Sequence, residues 1–315
     1  MRLTLSATFA LFAVSAPIGS GLAQDAASSL TIAARGKDAR VAAVAHRLAV
    51  AGIARCPRPL PTLGLVLQHQ TQFQLPDRPG MVAAYRLDRG PGVVAVVPGG
   101  PAAQAGVRAG DALLAVDVTP VPPEPHTHAP FDQTRARARV DQVLSLLEGR
   151  ATPFTATLLR DGSSLTLPIT PAPACPSRVH LARSDQLNAF ADGTHVFLTT
   201  RLLVTAKTDD ELAFMIAHEM AHNVLGHAAA MRAAGVGRGI GRTFGRGGQI
   251  LRQAEREADA LAGELMLDAG YDPVAGAAVL RRFGDADLGI ALFSAYESVD
   301  DRIAAMRVIA AARGR

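Results

Sequence analysis

Residues 208–227 read TDDELAFMIAHEMAHNVLGH, and this stretch decides the fold of the C-terminal half. Thr208 with Glu211 three residues on is a capping box, Thr208 being the N-cap. The helix it opens carries Leu212, Met215, Ile216 and Ala217 and reaches a stop at Gly226. His218 and His222 are four residues apart, so both imidazoles leave one face of that helix. Two imidazoles so placed chelate one Zn2+, and Glu219 beside the first reaches a water at the metal as general base. Polar groups on an otherwise apolar helix need a partner, and a metal ion supplies one.

Such a site needs a third protein ligand, and two places offer one. His227 follows His222 by five residues. A second helix, expected over 250–268, holds Glu255, Glu257 and Asp259, with Ala254, Ala258, Leu261 and Leu265 as its apolar side. Glu255 and Asp259 share a face, so Glu255 could ligate zinc while Asp259 accepts the outer N–H of a ligand histidine. On spacing alone these acidic residues suit a solvated face equally well.

Working toward the N-terminus, the pattern changes. Phe154–Leu159 and Leu165–Ile169 read as a hairpin about Asp161-Gly162, Arg135–Leu147 as a helix, and Ala112–Val116 and Val93–Val97 as strands. Ala102–Ala105 reads as a short helix stopped by Gly106. His126 and His128 sit in a Pro-rich loop and are read as incidental. Residues 38–55 form an Ala-rich amphipathic helix with Val41, Val44, Leu48 and Ile53 as apolar points. Cys56 and Cys175 each precede a proline and flank the β-rich stretch.

Two family resemblances follow from these residues. His218-Glu219-Met220-Ala221-His222 followed by Glu255-Arg256-Glu257-Ala258-Asp259 resembles peptidase family 48 of the metallopeptidases, with its HExxH and ExxAD motifs. The resemblance implies a zinc endopeptidase with His218, His222 and Glu255 as ligands, Glu219 as catalytic base, and Asp259 and His227 behind the ligands. Leu187–Ala191 is similar to the family's substrate strand, so Asn188, Ala189 and Phe190 are implied to hold an added substrate strand. Gly270-Tyr271-Asp272-Pro273 is similar to the family's turn after the Glu helix. One departure stands near the C-terminus: Tyr296-Glu297 occupies the place of the family's His-Pro. Tyr296 could donate to the oxyanion in place of that histidine, with Arg302 bracing the site or contacting the oxyanion. Residues 93–111, VVAVVPGGPAAQAGVRAGD, resemble a PDZ domain, whose partners are extended peptides, often free C-termini. Gly64 and Gly80 are the two candidates for its carboxylate-holding loop.

The expected fold is therefore α+β: a mainly helical zinc peptidase with a small substrate-binding sheet and an inserted β-rich PDZ domain. The expected division is a signal peptide over 1–23, a catalytic-domain helix within 24–59, the PDZ domain over 60–170 and the peptidase domain over 171–315. Arg2, the apolar run Leu3–Ile18 and Gly21-Leu22-Ala23 carry the signal-peptide reading. Export makes a Cys56–Cys175 disulfide the simplest use of 2 cysteines. The periplasm is the expected compartment, with no transmembrane segment after signal cleavage.

Composition limits the alternatives. A 49% apolar fraction over 315 residues is that of a folded chain. The net charge of +4 is too small to argue for nucleic acid. The basic, glycine-rich run 232–248 reads as a solvated loop or a lid over the cleft. The expected function is cleavage of misfolded or tagged envelope proteins, the PDZ domain recruiting clients or gating the cleft. The rival from another class is a PDZ-type binding protein whose zinc site is structural.

Overall fold

The computed structural model describes residues 19–123, 129–176, 178–236, 245–283 and 297–314. His126, His128, Tyr296, the apolar run before Ile18 and the middle of the basic glycine run lie outside the described residues. The architecture is α+β.

The chain opens with helix α1 (Gly19–Ala51), which begins well before the expected residue 38 and contains the expected cleavage point after Ala23. It also ends sooner than residue 55, passing through Gly52 into a 3-10 turn over Ile53–Arg55. Close packing requires the glycine here: a Cβ at Gly52 would lie 2.2 Å from Leu265 Cδ2. Val41, Val44, Ala45 and Leu48 fall on one helical stripe and are buried in the main core. Cys56 is disulfide-bonded to Cys175 across 119 residues, with Cα atoms 5.4 Å apart. Beside this bridge β1 (Leu60–Thr62) pairs antiparallel with β8 (Ala172–Ala174), so the chain leaves and re-enters the helical part at one place.

Between those two strands lies a six-stranded sheet. It comprises β2 (Leu65–Gln68), β3 (Gly92–Val96), β4 (Ala112–Val116), β5 (Thr119–Pro120), β6 (Phe154–Arg160) and β7 (Ser163–Ile169). The order is β2-β3-β4-β6-β7, with β5 paired to β4. The β6–β7 turn places Asp161 and Gly162 at φ 49° and 83°, the left-handed pair expected of Asp-Gly in a two-residue hairpin. Helix α2 (Arg78–Tyr85), short α3 (Pro101–Gln104) and α4 (Gln133–Glu148) accompany the sheet. Strand β3 is buried on both faces. Val93 joins a core with Val143 and Leu147 of α4, while Val94 and Ala95 join Phe73, Tyr85 and Leu87. Residues 69–91, which carry α2, have no assignment from the sequence; Phe73, Tyr85 and Leu87 are what cover the second face of the sheet.

A three-stranded sheet follows, ordered β10-β11-β9. Strand β9 (Arg178–Ala182) runs parallel to β11 (His195–Thr199), and β10 (Ala189–Ala191) runs antiparallel to β11. Val196 and Leu198 of β11 point into the main core. The helices α5 (Thr200–Thr205), α6 (Asp209–Val224), α7 (His227–Ala233), α8 (Gly245–Asp268), α9 (Pro273–Ala277) and α10 (Val299–Ala312) complete the chain. Helix α6 is buried continuously from Glu211 to Ala221. Gly270 is left-handed at φ 74° and Asp272 caps α9 by accepting from Val274 and Ala275, which explains the Gly-Tyr-Asp-Pro turn. Among the described residues no helix is long and apolar enough to cross a membrane.

Candidate metal centre

Two helices build the site. Thr208 Oγ1 accepts from the Glu211 N–H, and Glu211 reaches back to the Lys207 N–H, fixing the start of α6. Leu225 and left-handed Gly226 end it, so His227 begins a new helix and turns back toward His222. On α8, which packs against α6, Glu255 and Asp259 are buried with Ala254, Ala258 and Ala262.

His218, His222 and Glu255 converge, with their ligand atoms all within 4.8 Å of one another. Glu255 Oε2 is 3.2 Å from His218 Nε2, and Oε1 is 3.6 Å from His222 Nε2. The two Nε2 atoms are 3.1 Å apart. Both Glu255 oxygens are buried without a hydrogen-bond partner of good geometry. A buried carboxylate left so is costly, and a cation held between it and the imidazoles satisfies it. The electrostatics agree. Burial alone would push the His218 imidazole down, but Asp259 and Glu255 outweigh it and hold it up. Burial alone would push the Glu255 carboxyl up, but the two imidazoles hold it down. The surroundings thus favour positive charge where the three side chains meet, and the donor set of two imidazoles and a carboxylate fits Zn2+.

The outer ring nitrogens settle the tautomers. His218 Nδ1 lies 2.8 Å from Asp259 Oδ1, so Nδ1 carries the hydrogen and Nε2 is free to ligate. Asp259 is gripped in turn by Arg302, whose Nε and Nη2 each donate at 2.6 Å. Arg302 is 5% exposed. Of the two roles the sequence left open for Arg302, bracing the site or contacting the oxyanion, the fork of Nε and Nη2 onto Asp259 is that of a brace. His222 has a different backing. Its Nδ1 lies 2.8 Å from His227 Nδ1, and His227 Nε2 lies 3.2 Å from Glu257 Oε2. For His222 to ligate through Nε2, its Nδ1–H donates to His227, and His227 Nε2–H donates to Glu257. Spacing gave no reason to single out Glu257; only the turn at Gly226 brings His227 against it.

Glu219 is 4% exposed, and burial, partly opposed by the two imidazoles, raises its carboxyl. It accepts a hydrogen bond from the Ala191 N–H of β10. That contact ties the base to the substrate strand implied by the sequence. Of the three residues named for that strand, Asn188 turns its main chain inward: its carbonyl accepts from the Thr199 N–H at 3.0 Å. By the two-residue alternation of an antiparallel pair, Phe190 also turns its main chain to β11, and Ala189 and Ala191 turn theirs to the open edge. Of the expected residues, Ala189 thus faces the open edge and is joined there by Ala191, while the expectation that the Asn188 main chain holds substrate is corrected, since it is spent on Thr199. Phe190 places its ring on the sheet face, stacked on Phe197 with centroids 4.9 Å apart. Among the described residues no strand pairs with the other side of β10.

Of the candidate glycines in the β-rich unit, Gly64 stands at φ 66° at the start of β2, whereas Gly80 lies within α2. The Gly64 carbonyl accepts from Val97 at 2.7 Å, which fixes the turn into β2.

Comparison with known proteins places these two units. Residues 166–245 match the model of Peptidase family M48. Residues 92–128 match that of a PDZ domain. None of the curated proteins matches the chain. The convergence of α6 and α8 on one buried donor set is thus similar, over part of the chain, to Peptidase family M48, and the β-rich unit before it to a PDZ domain; the chain is a metallopeptidase.

Proposed function

We propose that the protein is an exported zinc endopeptidase that cleaves extended segments of misfolded or C-terminally tagged envelope proteins. The observation that carries this reading is Glu219: buried beside the ligand set and joined through the Ala191 N–H to the open edge of β10. His218, His222 and Glu255 would hold the zinc ion, which when bound supplies Lewis acidity at the scissile carbonyl. An extended substrate adds antiparallel to β10, exchanging main-chain hydrogen bonds with Ala189 and donating to the Ala191 carbonyl, the Ala191 N–H being held by Glu219. Glu219, with its carboxyl raised by burial, takes a proton from the attacking water and returns it to the leaving amine. The PDZ domain recruits clients or gates the cleft. Export is supported by the Cys56–Cys175 bridge, which belongs to an oxidising compartment, and by the apolar N-terminal run of the sequence.

A second reading, a PDZ-type binding protein with a structural metal, is favoured by one feature: Tyr296-Glu297 stands where the family has His-Pro. Casein cleavage by zinc-loaded wild type and by Glu219→Gln separates the two. Cleavage by wild type alone, with the variant at least about a hundredfold slower, is the expected result. Equal rates would mean that Glu219 is not the base, and silence from both would favour the binding protein.

A further inference from the structure

Helix α4 belongs to the PDZ domain, yet one of its faces is turned to the peptidase. Of its buried stripe, Ala136, Val140, Val143 and Leu147, the last two join the core of the PDZ sheet. Arg137, Asp141 and Glu148 lie on another face at helical spacing and meet the three-stranded sheet. The Arg137 guanidinium pairs with Asp192, the residue at the β10–β11 turn. Asp192 Oδ1 in turn accepts from the Thr194 and His195 N–H groups, both at 3.0 Å. Asp141 Oδ1 is 2.8 Å from His195 Nε2 on β11 and 2.7 Å from Arg178 Nη1 on β9. His195 Nδ1 lies 2.7 Å from His180 Nε2, so a single chain of polar contacts runs from α4 through β11 to β9.

The same turn is held from the opposite side by the metal-binding helix. Asn223, next to His222 on α6, accepts from the Gly193 N–H at 2.7 Å and donates to the His195 carbonyl at 3.1 Å. The β10–β11 hairpin is therefore fixed between α6 and α4. An edge strand of three residues has little pairing of its own to hold it, and β10 must keep Ala189 and Ala191 aligned with Glu219.

We propose that α4 of the PDZ domain is part of the peptidase's substrate-binding apparatus, with Arg137 and Asp141 as positioning residues for the β10–β11 hairpin. This goes beyond recruitment and rests on the strand-addition reading above. Loss of the clamp lets the hairpin shift, which weakens strand addition more than it slows the bond-breaking step. Because α4 also packs on the PDZ sheet, a peptide bound to the PDZ domain acts on the same hairpin through a shared helix.

The test uses the full chain with zinc bound. Arg137→Ala, Asp192→Ala and Asp141→Ala are compared with wild type, with the exchanged pair Arg137→Asp/Asp192→Arg, and with Arg137→Lys. Three quantities are measured: kcat and KM on a fluorogenic decapeptide, zinc content, and hydrogen exchange across 189–199. The expected result for the single variants is a KM rise on the order of tenfold with kcat and zinc little changed, and faster exchange at 189–199. Arg137→Lys or the exchanged pair is expected to recover part of the loss. Unchanged KM and unchanged exchange in the alanine variants would overturn the proposal, as would a loss confined to kcat or zinc content. If wild type cleaves no peptide, the peptidase reading fails, and the exchange measurement alone still decides the clamp.

Discussion

Asp259 faces two partners at once. His218 donates to one oxygen and Arg302 forks onto both, so the carboxylate is held well below its usual range, Arg302 overcoming the opposing effect of burial. Breaking a buried pair of this kind leaves a charge without a partner. Arg302→Met is expected to cost about 3–5 kcal/mol in urea unfolding of the metal-free protein. Asp259→Asn keeps the shape but loses the charge behind His218, and is expected to weaken zinc binding about 10- to 100-fold in chelator competition. An Arg302→Met protein as stable as wild type would mean that Asp259 is not the charge it holds. At this scale His218, Glu219 and His222 stand out in the sequence because HExxH is a local pattern with fixed helical geometry, whereas Glu255 and Asp259 were singled out by the family resemblance and not by spacing. Glu257 and Ala191 were not legible, since each depends on a neighbour far along the chain.

At the scale of elements, α6 is the axis of the peptidase domain, and close packing sets it. Helix α9 crosses it at Gly276, where a Cβ would lie 2.6 Å from the Asp210 carbonyl, 2.6 Å from Met266 Cε and 3.0 Å from Phe214 Cβ. Phe214 is one turn before His218 and their rings are 6.3 Å apart. Gly276→Ala is therefore expected to destabilise by about 1–3 kcal/mol through overpacking, read as a lowered denaturant midpoint with unchanged slope. No change in midpoint would mean that α9 can slide without cost. Helices α6 and α8 and the hairpin β6–β7 were readable because capping residues, apolar spacing and an Asp-Gly turn mark them locally. Helix α2 and the β1–β8 ribbon were not. The ribbon pairs two three-residue segments from distant parts of the chain, and α2 forms where the second face of β3 must be covered.

At the scale of the molecule, the disulfide and ribbon close one junction between the two units, the α4 clamp forms a second, and α1 a third. Asp38 of α1 sits in that third junction, where Gln68 of β2 donates to it at 3.4 Å. Burial, partly opposed by Arg183, pushes its carboxyl up to about 6 from a usual value of 3.8. The native state then holds this proton more tightly than the unfolded chain does. Stability from this group is present at low pH, falls as pH rises from about 4 to about 6, and stays lost above that. The cost at neutral pH is on the order of 3 kcal/mol. Asp38→Asn is expected to stabilise the protein at pH 7.5 by roughly that amount and to match wild type near pH 4, as read by urea unfolding across the range. A constant difference between the two at every pH would exclude Asp38 as the titrating group.

The sequence by itself determined the helix that carries His218 and His222, its partner helix and the order of the two units. Those features follow from intervals of three or four residues and from turn residues, which act within a few residues whatever the rest of the chain does. Tertiary structure alone decided which main-chain groups face the open edge of β10, which acid stands behind each imidazole, and that a PDZ helix grips the peptidase sheet. These are properties of contacts such as Arg137 with Asp192 or Arg302 with Asp259, 55 and 43 residues apart. Such contacts leave no periodic trace, because each residue of the pair is, in its own neighbourhood, an ordinary charge on a helix or a turn.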